Sequence, residues 1–244
     1  MADAPPGGRV EGGRVIEIDD LTKRHGRRTV LHDVAFTARP GRVTGFLGPN
    51  GAGKSSTLRV LLGLDRADAG AALIGGTPYR RLRRPLHTVG AALDGSGAHR
   101  SRTGRAHLAW VARSNGIPRT RVAEVLDQVG LTGAGRVRSY STGMGQRLGI
   151  ATALLGDPAV LVLDEPLNGL DPEGIRWLRR FLRARAAEGR TVLLSSHVMA
   201  EVAATADDLV VIHAGRVVAR GTVEQVTAGH ASLEDAFFAL VEPC

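Results

Sequence analysis

The segment GPNGAGKSS, at positions 48–56, decides the fold class of this 244-residue chain. It follows VTGFL at 43–47, an apolar run that predicts a buried strand, and it opens a helical pattern over 54–62. Its spacing, G-x4-G-K-S, is that of a phosphate-binding P-loop. In such a loop the glycines let successive backbone N–H groups converge on an anion at a helix N-terminus. The segment therefore predicts an α/β fold that binds a phosphate group here.

The side chains of this loop add specific chemistry. We expect Lys54 to reach the β- and γ-phosphates of a nucleotide, and the Ser55 hydroxyl to coordinate magnesium. Only two of the 32 basic residues are lysine, and one of them stands where a compact ammonium suits a phosphate. The predicted nucleotide-binding residues are Gly48, Pro49, Asn50, Gly51, Ala52, Gly53, Lys54, Ser55 and Ser56.

A second segment, AVLVLDEP at 159–166, is an apolar strand that ends in two carboxylates. The carboxyl ends of parallel strands form the edge where α/β sheets bind ligands. We predict that Asp164 holds magnesium through water and that Glu165 polarises a water for attack on the γ-phosphate. Without the P-loop, the pair would be a plain strand terminus.

The third segment, YSTGMGQRLGIATALLGDP at 140–158, opens the helix that precedes the Asp-Glu strand. A Ser/Gly helix start satisfies its own backbone and needs no ligand. The alternative is a second anion-binding helix N-terminus, at which Ser141 and the backbone of Gly143 face a phosphate. The residues alone leave both interpretations open.

Together, the three segments resemble the nucleotide-binding subunit of ATP-binding cassette (ABC) transporters, over roughly positions 15–220. The resemblance implies that the chain binds and hydrolyses ATP with Mg²⁺. In this family the signature motif reads LSGGQ, and here YSTGM at 140–144 keeps Ser141 and Gly143 and departs elsewhere. It further implies that LNGLD at 167–171 links two active sites and that His197 is the switch histidine that senses the γ-phosphate.

Two positions depart from the family pattern. Where an aromatic residue usually stacks on adenine, the chain offers His25, which can stack over less area. The family's Q-loop glutamine falls on Asp94, a shorter and charged side chain that we assign to the metal. Both departures bear on nucleotide affinity and on coupling to a partner.

The resemblance and the residue patterns together imply a P-loop NTPase core, a mixed sheet flanked by helices, with an all-helical insertion that carries the signature motif. We predict a flexible tail over 1–13, an ATPase domain over 14–230 with its helical subdomain at about 95–155, and a short C-terminal helix over 231–244. The predicted strands are 14–18, 43–47, 71–75, 88–93, 159–163, 191–195, 209–213 and 216–220, and the predicted helices of the insertion are 106–113, 119–129 and 144–155.

Each ABC active site needs the P-loop of one subunit and the signature motif of another. The resemblance therefore implies a head-to-tail homodimer, or a heterodimer with a related ATPase subunit. Since no apolar run is long enough to span a bilayer, we expect a separate multi-span permease to hold the chain at the cytoplasmic face of the membrane. The YSTGMGQRLGIA pattern resembles exporters of drugs, antibiotics and other hydrophobic compounds.

The formal net charge of +8 raises the alternative of an ATPase acting on nucleic acid or ribosomes. Aromatic residues make up only 4% of the chain, which leaves little for base stacking, and the arginines at 176–183 are expected on the wet face of a helix. We therefore expect no nucleic-acid partner.

A low-turnover nucleotide-binding regulatory module is a second alternative, motivated by His25 and Asp94. The single cysteine excludes an internal disulfide framework.

Overall fold

The computed structural model describes residues 14–93 and 97–241. Two sheets form the protein, a three-stranded antiparallel sheet of order β2-β1-β4 and a six-stranded sheet of order β5-β6-β7-β3-β8-β9. The strands are β1 (Ile16–His25), β2 (Arg28–Ala38), β3 (Val43–Leu47), β4 (Ala69–Ile74), β5 (Val89–Ala92), β6 (Val160–Asp164), β7 (Thr191–Ser196), β8 (Asp208–His213) and β9 (Arg216–Thr222). The predicted α/β class is confirmed.

Helices cover both faces of the larger sheet and fill the connection between β5 and β6. They are α1 (Lys54–Leu61), α2 (Pro85–Thr88), α3 (Gly104–Ser114), α4 (Thr120–Gln128), α5 (Thr142–Leu154), α6 (Pro172–Ala187), α7 (Met199–Ala203), α8 (Val223–Thr227) and α9 (Leu233–Val241). None of the helices in the described part of the chain is long and apolar enough to cross a bilayer.

The central strands β3, β6 and β7 are buried along their whole length, because helices or the smaller sheet cover both of their faces. Alternate side chains enter two separate cores. Leu161 and Leu163 of β6 pack with the helices α3 to α6, while Val160 and Val162 pack with α1 and the three-stranded sheet. The apolar runs that predicted these strands are continuous for this reason.

The three-stranded sheet corrects the sequence prediction in two respects. Strand β2 was not predicted, and β1 continues to His25 instead of ending near residue 18. Both strands carry irregularities in their pairing, and Asp20 and Asp33 adopt left-handed φ angles of 42° and 51°. Such bulges interrupt the period-two alternation of buried and exposed residues, which is the sequence signal for a strand.

Helices α3, α4 and α5 lie within the predicted all-helical stretch. Thr103 caps α3 by accepting a hydrogen bond from the Ala106 N–H, at 3.1 Å, and buried leucines at 108, 126 and 148 bring the three helices into one core. Burial also lowers the pKa of His107, whose Nε2 lies 3.3 Å from the Thr152 hydroxyl. The insertion is therefore packed onto the same core as α6.

The C-terminal part of the described chain contains a tight turn and a capped helix. Ala214 and Gly215, with φ angles of 44° and 76°, form the tight turn between β8 and β9. Ser232 caps α9 by accepting a hydrogen bond from the Asp235 N–H, at 3.1 Å. Phe237 of α9 is buried, whereas Leu240 is exposed. The predicted tail over 1–13 lies outside the described residues.

Candidate active site

The site is built at the carboxyl ends of three neighbouring parallel strands. In the sheet order, β7 lies between β6 and β3, and its last residues pair with both neighbours: Ser195 with Asp164, and Ser196 with Leu47. The chain continues from these ends into the P-loop, into Glu165 and into His197. Three segments far apart in sequence therefore meet at one sheet edge, where α/β folds bind ligands.

The P-loop offers unused backbone donors. Among the hydrogen bonds of the described residues, none is donated by the N–H of Gly51, Gly53 or Lys54. These groups lie at or just before the start of α1, where the helix dipole favours an anion. The loop is closed on itself by a hydrogen bond from the Ala52 N–H to the Pro49 carbonyl, at 3.2 Å. The arrangement suits a phosphate group.

Two glycines of this loop are required by close packing. Gly53 has φ +112°, and a Cβ there would lie 2.5 Å from the Leu31 side chain of β2. A Cβ on Gly48 would lie 2.3 Å from the Ile212 carbonyl oxygen of β8. The loop is thus wedged between two strands and has no room for larger residues.

Lys54 is the centre of the charged groups. Its side chain is 5% exposed, and Nζ donates to the carbonyl oxygens of Gly48, at 2.6 Å, and Pro49, at 3.3 Å. Nζ also forms an ion pair with Glu165 Oε1, at 3.3 Å. The two groups are not aligned for a hydrogen bond, so this buried oxygen accepts none within the described chain. His197 Nδ1 lies 2.9 Å from the other oxygen, Glu165 Oε2. The structure brings all three predicted catalytic residues together.

The backbone of Glu165 is held in an uncommon conformation, with φ +48°. Its N–H donates to the Ser195 carbonyl, at 3.2 Å, and to the Ser195 hydroxyl, at 3.1 Å. The same hydroxyl donates to Asp164 Oδ1. Ser195 therefore binds the Asp164 carboxylate and holds the backbone that carries Glu165, a role that sequence reasoning missed. Its position directly before the Ser-His of the switch segment was the available signal.

The predicted magnesium ligands are of the right type. Asp164 is buried at the end of β6, and Ser55 is exposed in the first turn of α1. No group of three His, Cys, Asp or Glu side chains in the described ranges could hold a metal alone. Magnesium does not need one, because it is usually bound through one or two carboxylates, waters and the phosphates of the substrate. A hydroxyl and one carboxylate beside a phosphate site fit that ion.

Ser141 and Gly143 lie elsewhere on the surface. Ser141 is exposed and caps α5 by accepting from the Met144 N–H, at 3.2 Å. A Cβ on Gly143 would lie 3.3 Å from the Gly169 carbonyl, so the start of α5 packs on the 167–171 loop. In the described chain, no hydrogen bond or ion pair joins either residue to Lys54.

The two departing positions are not brought into this cluster. His25 is exposed at the end of β1. The pKa of the nearby Asp65 carboxyl is lowered mainly by the hydrogen bond from Arg59. Asp94 lies outside the described residues. Of the other P-loop residues, Pro49 and Asn50 are exposed and Ser56 is half-buried.

Residues 31–168, more than half of the chain, match the sequence profile of the ABC transporter family. The chain belongs to this family. Curated relatives include the lantibiotic transport ATP-binding protein SrtF of Streptococcus pyogenes, 34% identical over 91% of this chain and 96% of SrtF. The bacitracin transport ATP-binding protein BcrA of Enterococcus faecalis is 37% identical over 87% of this chain and 70% of BcrA.

A solved structure of the ATP-binding subunit of an ABC transporter has the same fold. It superposes with a TM-score of 0.84 at 28% identity, covering 93% of this chain and all of the other. The chain is accordingly an ATP-binding ABC subunit and an ATPase. The P-loop described above is where this family binds the nucleotide phosphates.

We predict that Ser195→Ala lowers kcat for ATP about tenfold, because the Asp164 carboxylate and the Glu165 backbone N–H both lose their hydrogen bond to this hydroxyl. ATP affinity should change little, since the P-loop is untouched. Steady-state ATPase rates beside equilibrium ATP binding provide the measurement. Thr205→Val is the matched control, because it removes a buried hydroxyl bonded to the Glu201 carbonyl outside the site. Equal rates for the two variants would contradict the positioning role.

Proposed function

We propose that the chain is the ATP-hydrolysing subunit of an ABC exporter, working as a head-to-tail dimer beneath a separate membrane permease. The observation that carries the proposal is the convergence of Lys54, Glu165 and His197 at one sheet edge, with free backbone donors beside them. A lysine, a carboxylate and a histidine around a phosphate cradle are the groups that phosphoryl transfer to water requires.

ATP binding exchanges the partners of Lys54. The P-loop N–H groups cradle the phosphates, and the ammonium moves its interaction from Glu165 and the loop carbonyls to the β- and γ-phosphates. Ser55 and Asp164 would hold Mg²⁺, with Asp94 as a further candidate. The ion supplies charge neutralisation between the β- and γ-phosphates when bound. His25 offers its ring to the adenine base, over a smaller area than a tyrosine would.

Hydrolysis then falls to Glu165 and His197. Once the phosphates hold Lys54, the Glu165 carboxylate is released to accept a proton from an attacking water. His197 Nδ1–H donates to Glu165 Oε2, and this contact fixes the ring so that Nε2 faces the γ-phosphate. The left-handed backbone of Glu165, held by Ser195, keeps the carboxylate aimed at that water.

The signature residues act on a second copy. Ser141 is exposed at the start of α5, and in the described chain neither Ser141 nor Gly143 forms a hydrogen bond or ion pair with Lys54. In the proposed head-to-tail dimer they close over the γ-phosphate held by Lys54 of the other copy, which is how a helix N-terminus binds an anion. Each chain supplies one half of each of two sites. Hydrolysis at these sites then lets the dimer open.

The membrane partner receives this motion. A separate multi-span permease docks on the loop that contains Asp94 and runs to Thr103, and it holds the chain at the cytoplasmic face of the membrane. SrtF and BcrA are named for lantibiotic and bacitracin transport, which supports a drug or antibiotic as the exported compound. The permease selects that compound, and the energy comes from this chain.

We predict that Glu165→Gln lowers ATP turnover at least about a hundredfold, because the amide cannot accept the proton of the attacking water. ATP binding should persist. The measurement is phosphate release under saturating ATP and Mg²⁺, beside equilibrium binding of ATP. Glu173→Gln, an exposed change in the first turn of α6, is the control. Turnover equal to the unmodified protein would remove Glu165 from its role as base.

The dimer is tested by mixing two inactive variants. Lys54→Ala damages the P-loop, and Ser141→Arg blocks the signature helix, so each homodimer should be inactive. In a mixed dimer one site contains an intact Lys54 and an intact Ser141. Because half of the dimers are mixed and each has one good site, about one quarter of the unmodified rate should return. No recovery on mixing would contradict a head-to-tail homodimer and favour a related ATPase as partner.

Affinity purification of the tagged protein from its native membrane, with and without ATP, tests the transporter assignment. We expect a multi-span membrane protein to co-purify and to be absent from an untagged extract. Ribosomal proteins or DNA in its place would contradict the export function and favour an ATPase that acts on nucleic acid.

A further inference from the structure

A cavity of about 790 Å³ is lined by residues of the segment that links β4 to β5 and by Arg14, two positions before β1. Its lining is strongly basic: Arg14, Arg81, Arg83, Arg84 and His87. The arginine-rich stretch RRLRR at 80–84 supplies three of these side chains. The proposed catalytic cycle uses none of them.

Among the described residues that line this cavity, none carries a carboxylate. The side chains of Arg81, Arg83 and Arg84 are exposed, and within the described chain none of the three forms an ion pair. Other arginines of the protein are paired, such as Arg42 with Asp208 and Arg179 with Glu201. The like charges of these three guanidinium groups, which form no ion pair in the described chain, repel one another, so the cavity attracts anions.

We propose that this cavity binds a small anion that carries two or more phosphate groups. Guanidinium groups match phosphate oxygens with paired N–H donors, and several of them line one concavity. A volume of this size is typical of small-molecule sites. A nucleic-acid strand would need an open groove with stacking side chains, and the lining contains no aromatic residue.

The cavity is separate from the ATP site. It lies at the amino end of β5, just before Val89. Strand β6 is the parallel neighbour of β5, and it carries Asp164 of the ATP site at its opposite, carboxyl end. The four residues of β5 place roughly 10 Å of strand between the two edges. The α2 turn also packs closely on the far end of the signature helix, since a Cβ on Gly156 would lie 1.9 Å from the Leu86 carbonyl oxygen. The anion site thus adjoins both β5 and the segment that follows α5.

The test uses inorganic tripolyphosphate as the probe, titrated by calorimetry without magnesium. All proteins carry Lys54→Ala, so that the P-loop contributes little to binding. The cavity variant adds Arg81→Gln, Arg83→Gln and Arg84→Gln. The control variant instead adds the same change at three exposed arginines elsewhere, which are Arg113, Arg176 and Arg180. Both triple variants lose the same net charge, and thermal melting checks that both are folded.

We expect tripolyphosphate to bind the cavity variant at least about tenfold more weakly than the control variant, because three charge-assisted contacts are lost.

A second arm measures flotation with phosphatidylcholine vesicles that contain cardiolipin, whose headgroup carries two phosphates. Loss of flotation in the cavity variant, together with competition by tripolyphosphate, would identify a lipid headgroup as a source of the anion. Flotation equal in both variants would leave a free phosphorylated molecule as the source.

Equal tripolyphosphate affinities in the two triple variants would overturn the proposal. So would duplex DNA that binds through the three cavity arginines while tripolyphosphate does not. Neither result would bear on the ATPase assignment, because the titrations take place in proteins whose P-loop lysine is already removed.

Discussion

The burial of one positive charge organises the active site. Lys54 is almost completely removed from water, and an unpaired buried ammonium would destabilise the fold by several kcal/mol. The carbonyls of Gly48 and Pro49 and the Glu165 carboxylate offset that cost. In the proposed cycle, the groups that stabilise Lys54 in the free protein are also the groups that the nucleotide phosphates displace.

This constraint extends to the strands on either side. Lys54 can be buried only if the P-loop is pressed into the sheet, with Gly53 against Leu31 of β2 and Gly48 against Ile212 of β8. The three-stranded sheet is therefore a wall of the nucleotide site as well as a separate structural layer. Buried residues of this sheet and of α1 pack together in the second core.

The two phosphate-directed surfaces of the chain have different construction. The P-loop cluster is buried, built on strand ends and held by hydrogen bonds through Ser195. The start of α5 is exposed, capped by its own Ser141 and supported by the 167–171 loop. In the proposed dimer, the buried cluster binds the nucleotide and the exposed start of α5 meets another copy, an arrangement suited to a cycle in which the chains close and open. The basic cavity at the amino end of β5 adds a third surface with affinity for anions.

Local pattern was enough to predict the P-loop, the buried strands, the Asp-Glu pair and most helices, because each depends on residues close together in the chain. The resemblance to ABC subunits added His197 and the signature residues. Tertiary structure alone decided that β7 lies between β6 and β3, which brings Glu165 and His197 to Lys54. It also decided that Ser195 links the Asp164 carboxylate to the backbone of Glu165, that β2 packs behind Gly53, and that Leu240 stays exposed. These features depend on strand order and on packing between distant segments, and neither leaves a periodic trace in the sequence.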